Sequence, residues 1–276
     1  MQQLVRDLIV DRIRATFNDR GRGERPVQRS AEGLFGPGSA AWRVHGDLTS
    51  MMVGGVAALL MQMLHPLVLA GVWDHSAFRR DMHGRLRRTA RFIALTTYGS
   101  REQAEEAIAQ VRQVHARVRG TLPDGSAYSA DDPALLGWVH ATETLCFLDA
   151  WRRYGEPTML GAEQDRYCAE VAQIGRALGM VEAPQSRAAL LAFIEQARPQ
   201  LKADERTREV AGFLLRQSSP NLATVPVQQL TFQAAIDLLP GWAREMHGLR
   251  GSSLSRPLVH VGTLGLAGAI RWAFRP

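Results

Sequence analysis

Apolar residues recur three and four positions apart along nearly the whole chain, and no convincing stretch alternates with the period of two that a half-buried strand requires. Leu4, Leu8, Ile9 and Ile13 mark an amphipathic helix over residues 1–20, followed by a polar Arg- and Gly-rich linker to Ser30. Residues 33–39 are rich in turn formers, and Ser39 is placed to cap a short helix through Val44. Asp47, Thr49 or Ser50 then caps a long apolar helix that bends or ends near His65-Pro66, because proline removes a helix hydrogen bond. Trp73 to Ser76 opens a short helix closing around Asp81. Residues 84–97 and 101–119 read as a helical pair joined at Gly99-Ser100. After a Gly/Pro/Asp loop at 120–125, Asp131 or Asp132 with Pro133 starts a helix through Tyr154. Helical patterns continue over 160–178, 187–196, 204–215, 227–238 and 257–274. The expectation is an all-α fold of roughly ten helices. Residues 1–30 form an N-terminal helix and linker, and residues 31–276 a single domain.

Composition changes this picture little. At 276 residues and 46% hydrophobic content, the chain is long enough to bury a substantial core. The net charge is +6, carried almost wholly by arginine, with Lys202 the one lysine. No basic block interleaves with aromatics, so nucleic acid is not an expected partner. Arginine in place of lysine is a mark of a GC-rich genome. Cys146 and Cys168 lie far apart inside helical runs, offering no zinc or redox motif and requiring no disulfide. The N-terminus lacks the basic-then-apolar pattern of a signal peptide, so the expected compartment is the cytoplasm. Residues 50–73 reach the length of a spanning helix, yet Gly54-Gly55, Gln62 and His65-Pro66 interrupt them. A buried helix is the favoured reading there, and membrane association the minor one. The sequence leaves the oligomeric state open.

Phosphate-binding glycine loops, dinucleotide fingerprints, a Gly-x-Ser-x-Gly elbow and His-Glu-x-x-His are all missing. What remains is histidine and arginine on apolar helices. Ala104, Ile108, Val111, His115 and Val118 follow helical spacing, which places the imidazole of His115 on a buried stripe. Such a histidine either holds a haem iron or hydrogen-bonds a backbone carbonyl in the core. Arg85 and Thr89 are four apart on one helix face, suited to donating hydrogen bonds into a pocket, or else part of a solvated basic helix start with Arg87, Arg88 and Arg91. Arg85 lies fourteen residues before Gly99 and His115 sixteen after it, so an antiparallel hairpin sets them at one height. Packed helices, however, stand only about 8–10 Å apart, too close for a macrocycle between them. His140 and Glu143 are one turn apart, in the reverse order to a di-iron Glu-x-x-His motif and without a second copy, so His140 reads as a pocket or core residue. His65 precedes the helix-breaking proline and reads as structural. His45, His75, His83, His247 and His260 carry no signal beyond ordinary polar roles.

In order along the chain, Leu64-His65-Pro66, Gly71-Val72-Trp73-Asp74-His75-Ser76, Arg85-Leu86-Arg87-Arg88-Thr89, Val114 to Gly120, Tyr128 to Pro133 and Trp138-Val139-His140-Ala141 form a distinctive set. The set resembles the latex-clearing proteins (rubber oxygenases) and MpaB-type oxygenases, a family with bacterial members. The likeness is strong over residues 34–155 and rests on helical character elsewhere. It implies an all-α fold with a globin-like core and a haem b held by one histidine, here His115. It places Arg85 and Thr89 as catalytic residues facing the haem; Arg88, His140 and His65 are the further cofactor-binding candidates of this reading. Arg88 stands where some rubber-cleaving members have lysine, and no glutamate base can be assigned with more than a guess at Glu143. The function expected is a haem-dependent oxygenase using dioxygen on a hydrophobic, unsaturated small molecule. The alternative is a non-catalytic helical protein that binds haem or lipid.

Overall fold

The computed structural model describes residues 2–17, 23–217, 224–249 and 256–275. Among them are thirteen α-helices and one small hairpin. The core is organised on two helices, α3 (Leu48–Gln62) and α7 (Pro133–Tyr154). Val53, Ala57, Leu60 and Met61 of α3 and Trp138, Ala141, Leu148 and Ala150 of α7 are buried in one apolar cluster. Gly54 permits the close approach of the two backbones: a Cβ there would lie 2.8 Å from the Cys146 carbonyl oxygen. A side chain at Gly54 therefore has no room, which fixes why the pair can pack so tightly.

Helix starts carry their own signals. Ser39 accepts from Trp42 N (3.1 Å) to begin α2 (Ala40–His45), and buried Asp47 accepts from Ser50 N (2.9 Å) to begin α3. Asp132, with Pro133 behind it, accepts from Ala134 N (2.8 Å) to begin α7. Each cap satisfies an orphan N–H of a first turn.

The apolar run after Asp47 is broken where proline requires it. α3 ends at Gln62, α4 runs Pro66–His75, and the two are bent by 104°. The freed groups at the break find partners: Trp138 Nε1 donates to the Gln62 carbonyl (3.2 Å) and Lys202 N to the Leu64 carbonyl (2.8 Å). Among the described residues no single helix is long and apolar enough to cross a membrane, and α3 is largely buried.

The next segment departs from expectation in three ways. No helix opens at Trp73, because α4 continues through His75. α5 then starts early, at Phe78, and runs to Tyr98 with a kink at Asp81 (φ −147°, ψ 61°). There the Asp81 carboxylate accepts from Gly84 N (2.7 Å), so the break expected between Asp81 and Gly84 is a kink inside one helix. α6 (Arg101–His115), opened by a Ser100/Gln103 capping box, stops at His115 and not at Arg119. The chain then enters a hairpin that the alternation pattern did not reveal. β1 (Arg119–Thr121) pairs antiparallel with β2 (Ala127–Ser129) in register Gly120↔Tyr128. Strands of three residues are too short to show a period.

α8 (Gly161–Leu178), α9 (Arg187–Ala197) with a 3₁₀ turn at Arg198–Gln200, α10 (Glu205–Leu215), α11 (Val225–Leu238), α12 (Gly241–Met246) and α13 (Arg256–Phe274) complete the layers around α3 and α7. α1 (Gln2–Phe17) lies against α13 and α5. Arg271 ties α13 to the centre, its Nε donating to Asp47 Oδ2 (2.7 Å) and its Nη2 to the Tyr154 carbonyl (2.7 Å).

Candidate functional site

The residues read as chemical fall in three places. Within its basic cluster, Arg85 turns inward. Its Nη1 donates to Ser76 Oγ (2.9 Å), and it borders a cavity of about 10 Å³ walled by Leu59, Leu60, Met63, Val72, Met82, Val210, Ala211 and Leu214. Burial, with Arg88 adding repulsion, lowers its pKa to about 10, so it remains a cation at neutral pH. Arg88 is exposed and pairs with Asp81 Oδ2 (3.3 Å), a surface ion pair. Thr89 is exposed too, and its hydroxyl donates to the Arg85 carbonyl (3.3 Å).

His115 is the last residue of α6 and is half-buried. The buried stripe of that helix is Ala104, Ala107 and Ile108. Val111 and Val118 are half-covered and Val114 is exposed, so the imidazole sits at the rim rather than in the core. Its Nδ1 is enclosed without a hydrogen-bond partner, and its side chain makes no hydrogen bond among the described residues. Burial lowers its pKa against the opposing pull of Asp131, which keeps the ring neutral at pH 7. His115 lines neither the cavity beside Arg85 nor the one described next.

That second cavity, of about 40 Å³, lies between α5, α7 and α8, closed at one end by α2. Phe92, Ile93 and Thr96 face His140, Glu143, Thr144 and Phe147 across it, with Tyr167, Val171, Ile174 and His45 completing the wall. His140 and Glu143 are candidates that the sequence already offered, whereas the hydrogen bonds of His45 are not. His45 bonds Thr97 Oγ1 through Nδ1 and Tyr167 OH through Nε2, both at 2.8 Å. Burial holds His45 far down, at about 3, so one ring nitrogen donates and the other accepts. His140 meets Thr144 Oγ1 only at 3.5 Å, and burial with the nearby Arg176 charge lowers it to about 4. Glu143 makes no hydrogen bond or ion pair among the described residues, and burial raises its carboxyl to about 7. Part of its surface is open, but that part faces the cavity, so desolvation governs the carboxyl.

Three other histidines, His247, His75 and His65, hold parts of the fold together. His247 Nε2 bonds the Leu60 carbonyl (2.8 Å), and His75 Nε2 the Arg119 carbonyl (3.1 Å). His65 is buried at the α3–α4 break beside Trp138, its ring held by Gln200. Cys146 and Cys168 are free and buried, and burial pushes both thiols up, so neither is a ready nucleophile.

Among the described residues no group of three or more His, Cys, Asp or Glu side chains could hold a metal ion. A haem needs no such group, since the macrocycle supplies four ligands and the protein one axial imidazole. A neutral His115 with an enclosed, unpartnered nitrogen fits that requirement. The two cavities are far smaller than the ~300–1,000 Å³ of cofactor pockets. α5 and α6 pack directly on each other, a closed arrangement that counts against a macrocycle between them, so seating one beside His115 calls for the pair to part or for other helices to frame it.

No curated protein and no solved structure matches the chain. One family model does, that of the "ER-bound oxygenase mpaB/B'/Rubber oxygenase, catalytic domain", and it matches residues 42–272, from α2 to the last turn of α13. With most of its length and every helix of its core inside that match, the chain belongs to the MpaB/rubber oxygenase catalytic-domain family.

Proposed function

We propose that this oxygenase-family domain is a haem b-dependent oxygenase that uses dioxygen on a hydrophobic, unsaturated small molecule. The observation that carries the reading is His115: a neutral imidazole inside the family match, with no hydrogen bond of its own to explain it. When bound, haem supplies the binding and activation of dioxygen. His115 would hold the iron by one ring nitrogen. Arg85 would contribute a desolvated positive charge with N–H donors beyond the one given to Ser76, able to orient an oxygen that gains negative charge. The apolar wall of Leu59, Leu60, Met63 and Val72 beside Arg85 would exclude water and favour an apolar substrate. Thr89 and Arg88 have local partners and would act only after the side chains turn.

The test is an absorption spectrum of the purified full chain after reconstitution with haem b. A Soret band in the wild type that is lost or shifted in His115→Ala supports the reading. No Soret band, or the same band in both proteins, overturns it. Oxygen consumption by the reduced protein with alkene substrates then separates an oxygenase from a protein that only holds haem or lipid.

A further inference from the structure

Five carboxylates stand on α7 and α8, and four of them have partners. Asp149 pairs with Arg152 and Arg187, Glu163 with Arg43, and Glu170 with Arg166, while Asp165 accepts from Arg187 N (2.8 Å). Glu143, the fifth, has none among the described residues and opens onto the cavity of about 40 Å³ between α5, α7 and α8. The chain has 33 lysines and arginines, yet none of those described lines that cavity. The charge of Arg176 reaches His140 from outside the lining. A carboxylate withdrawn from water needs a cation or donors to offset its desolvation, and here the fold supplies neither.

The rest of the lining selects the occupant. Thr96 Oγ1 gives its proton to the Phe92 and Ile93 carbonyls (2.9 and 3.2 Å), which leaves its lone pairs free to accept. His140 is neutral, and one nitrogen of a neutral imidazole accepts. Tyr167 and His45 are bonded to each other (2.8 Å). The free polar groups are thus chiefly acceptors, and a primary ammonium is three donors and no acceptor. Phe92, Ile93, Phe147, Val171 and Ile174 add an apolar wall for a short alkyl group, and aromatic rings favour a neighbouring cation. At about 10–15 Å³ for each water-sized group, the space takes about three or four heavy atoms. An anion would be repelled by Glu143, and a neutral molecule would leave its charge unpaired.

We propose that the cavity between α5, α7 and α8 is a binding site for a small primary alkylamine, held as its ammonium ion on Glu143. The proposal stands whether or not His115 binds haem. The test is isothermal titration calorimetry of the full chain at pH 8, where the Glu143 carboxyl, at about 7, is mostly ionised. The ligand is isopropylammonium chloride, and isopropanol, its neutral isostere, is the control. The ammonium should bind, and isopropanol should bind at least about tenfold more weakly, since the charge-assisted hydrogen bond is gone. Glu143→Gln keeps the side chain's shape and should lose about tenfold or more in affinity for the ammonium. Thr96→Val removes an acceptor and should lose about threefold or more, and Thr96→Ser, which keeps the hydroxyl, should restore it. A second readout needs no variant: nuclear Overhauser contacts should join the isopropyl methyls to the Phe147 ring. Absence of binding, equal affinity for isopropanol, unchanged affinity in Glu143→Gln or Thr96→Val, or contacts confined to other residues overturns the proposal.

Discussion

Glu143 offers the sharpest test of the interior as described. Its carboxyl has pKa 4.5 in water and about 7 in the folded chain, because burial disfavours the charged form and no partner compensates. Below pH 4.5 both folded and unfolded chains hold the proton, and there is no effect. Between pH 4.5 and 7 the unfolded chain releases it while the folded chain keeps it, so stability falls as pH rises through that window and levels off above it. At 1.36 kcal/mol per pKa unit, the loss reaches about 3 kcal/mol at pH 8. Glu143→Gln keeps the shape and removes the ionisation. Its stability should match wild type near pH 4.5 and exceed it by about 3 kcal/mol at pH 8, or ~6–12 °C in Tm. His45 and His140, with pKa values held near 3 and 4, act in the opposite sense, since their stability contribution is lost as pH falls below about 6.5. They act alike in both proteins, so the difference curve isolates Glu143. The measurement is urea unfolding followed by circular dichroism at pH 4.5, 6, 7 and 8. Parallel curves would refute the burial argument. A glutamine variant less stable than wild type at pH 8 would show that the carboxylate has a cationic partner.

Three further expectations follow from contacts elsewhere. Gly54→Ala should destabilise by about 1–3 kcal/mol, because its Cβ meets the Cys146 carbonyl at 2.8 Å, while neighbouring Gly55→Ala, whose nearest contact is 3.7 Å, should be neutral or stabilising; chemical denaturation of the two compares overpacking with helix propensity directly. Arg85→Met should leave Tm unchanged or raise it, since it removes a desolvated charge bonded, among the described residues, only to Ser76, yet lower oxygen consumption at least ~10-fold if Arg85 orients oxygen; a fall in both would make it structural. Tyr128→Phe should cost about 1 kcal/mol in thermal unfolding, through loss of the hydroxyl's bond to Asp74, with the β1–β2 hairpin loosening from α4.

The fold was legible because its determinants are local. Ser39, Asp47, Ser100 and Asp132 each cap a helix through bonds to residues two or three positions ahead, and a proline after His65 breaks α3 from α4 whatever surrounds it. The errors fell where a local signal had two readings. Asp81 looks like the end of one helix and serves as an internal cap in another, because α5 tolerates a single kinked residue. Val118 continues the spacing of α6 yet lies outside it, since the chain leaves the helix at His115 to pair Arg119 with Ser129. No period in three residues could have announced that pairing.

The site was legible in composition and not in direction. Hairpin arithmetic sets Arg85 and His115 at one height, and height is all that rise per residue can give. Which way each side chain leaves its helix depends on neighbours distant in sequence. Arg85 is drawn towards Ser76 and the α10 residues Val210 and Leu214, whereas His115 is left at a helix end near Asp131. His45 shows the same limit from the other side. Its hydrogen bonds reach Thr97 and Tyr167, 52 and 122 residues away, so nothing around position 45 distinguishes it from a surface histidine. Glu143 was reached only as a guess, since a carboxylate one turn from His140 looks like a pair to the eye. The folded chain separates their roles: His140 leans on Thr144 and stays neutral by losing its proton, while Glu143 faces the cavity alone and stays neutral by keeping one. Two groups on one helix face thus reach neutrality by opposite routes under the same desolvation, and it is Glu143 that stays close to a proton exchange at physiological pH.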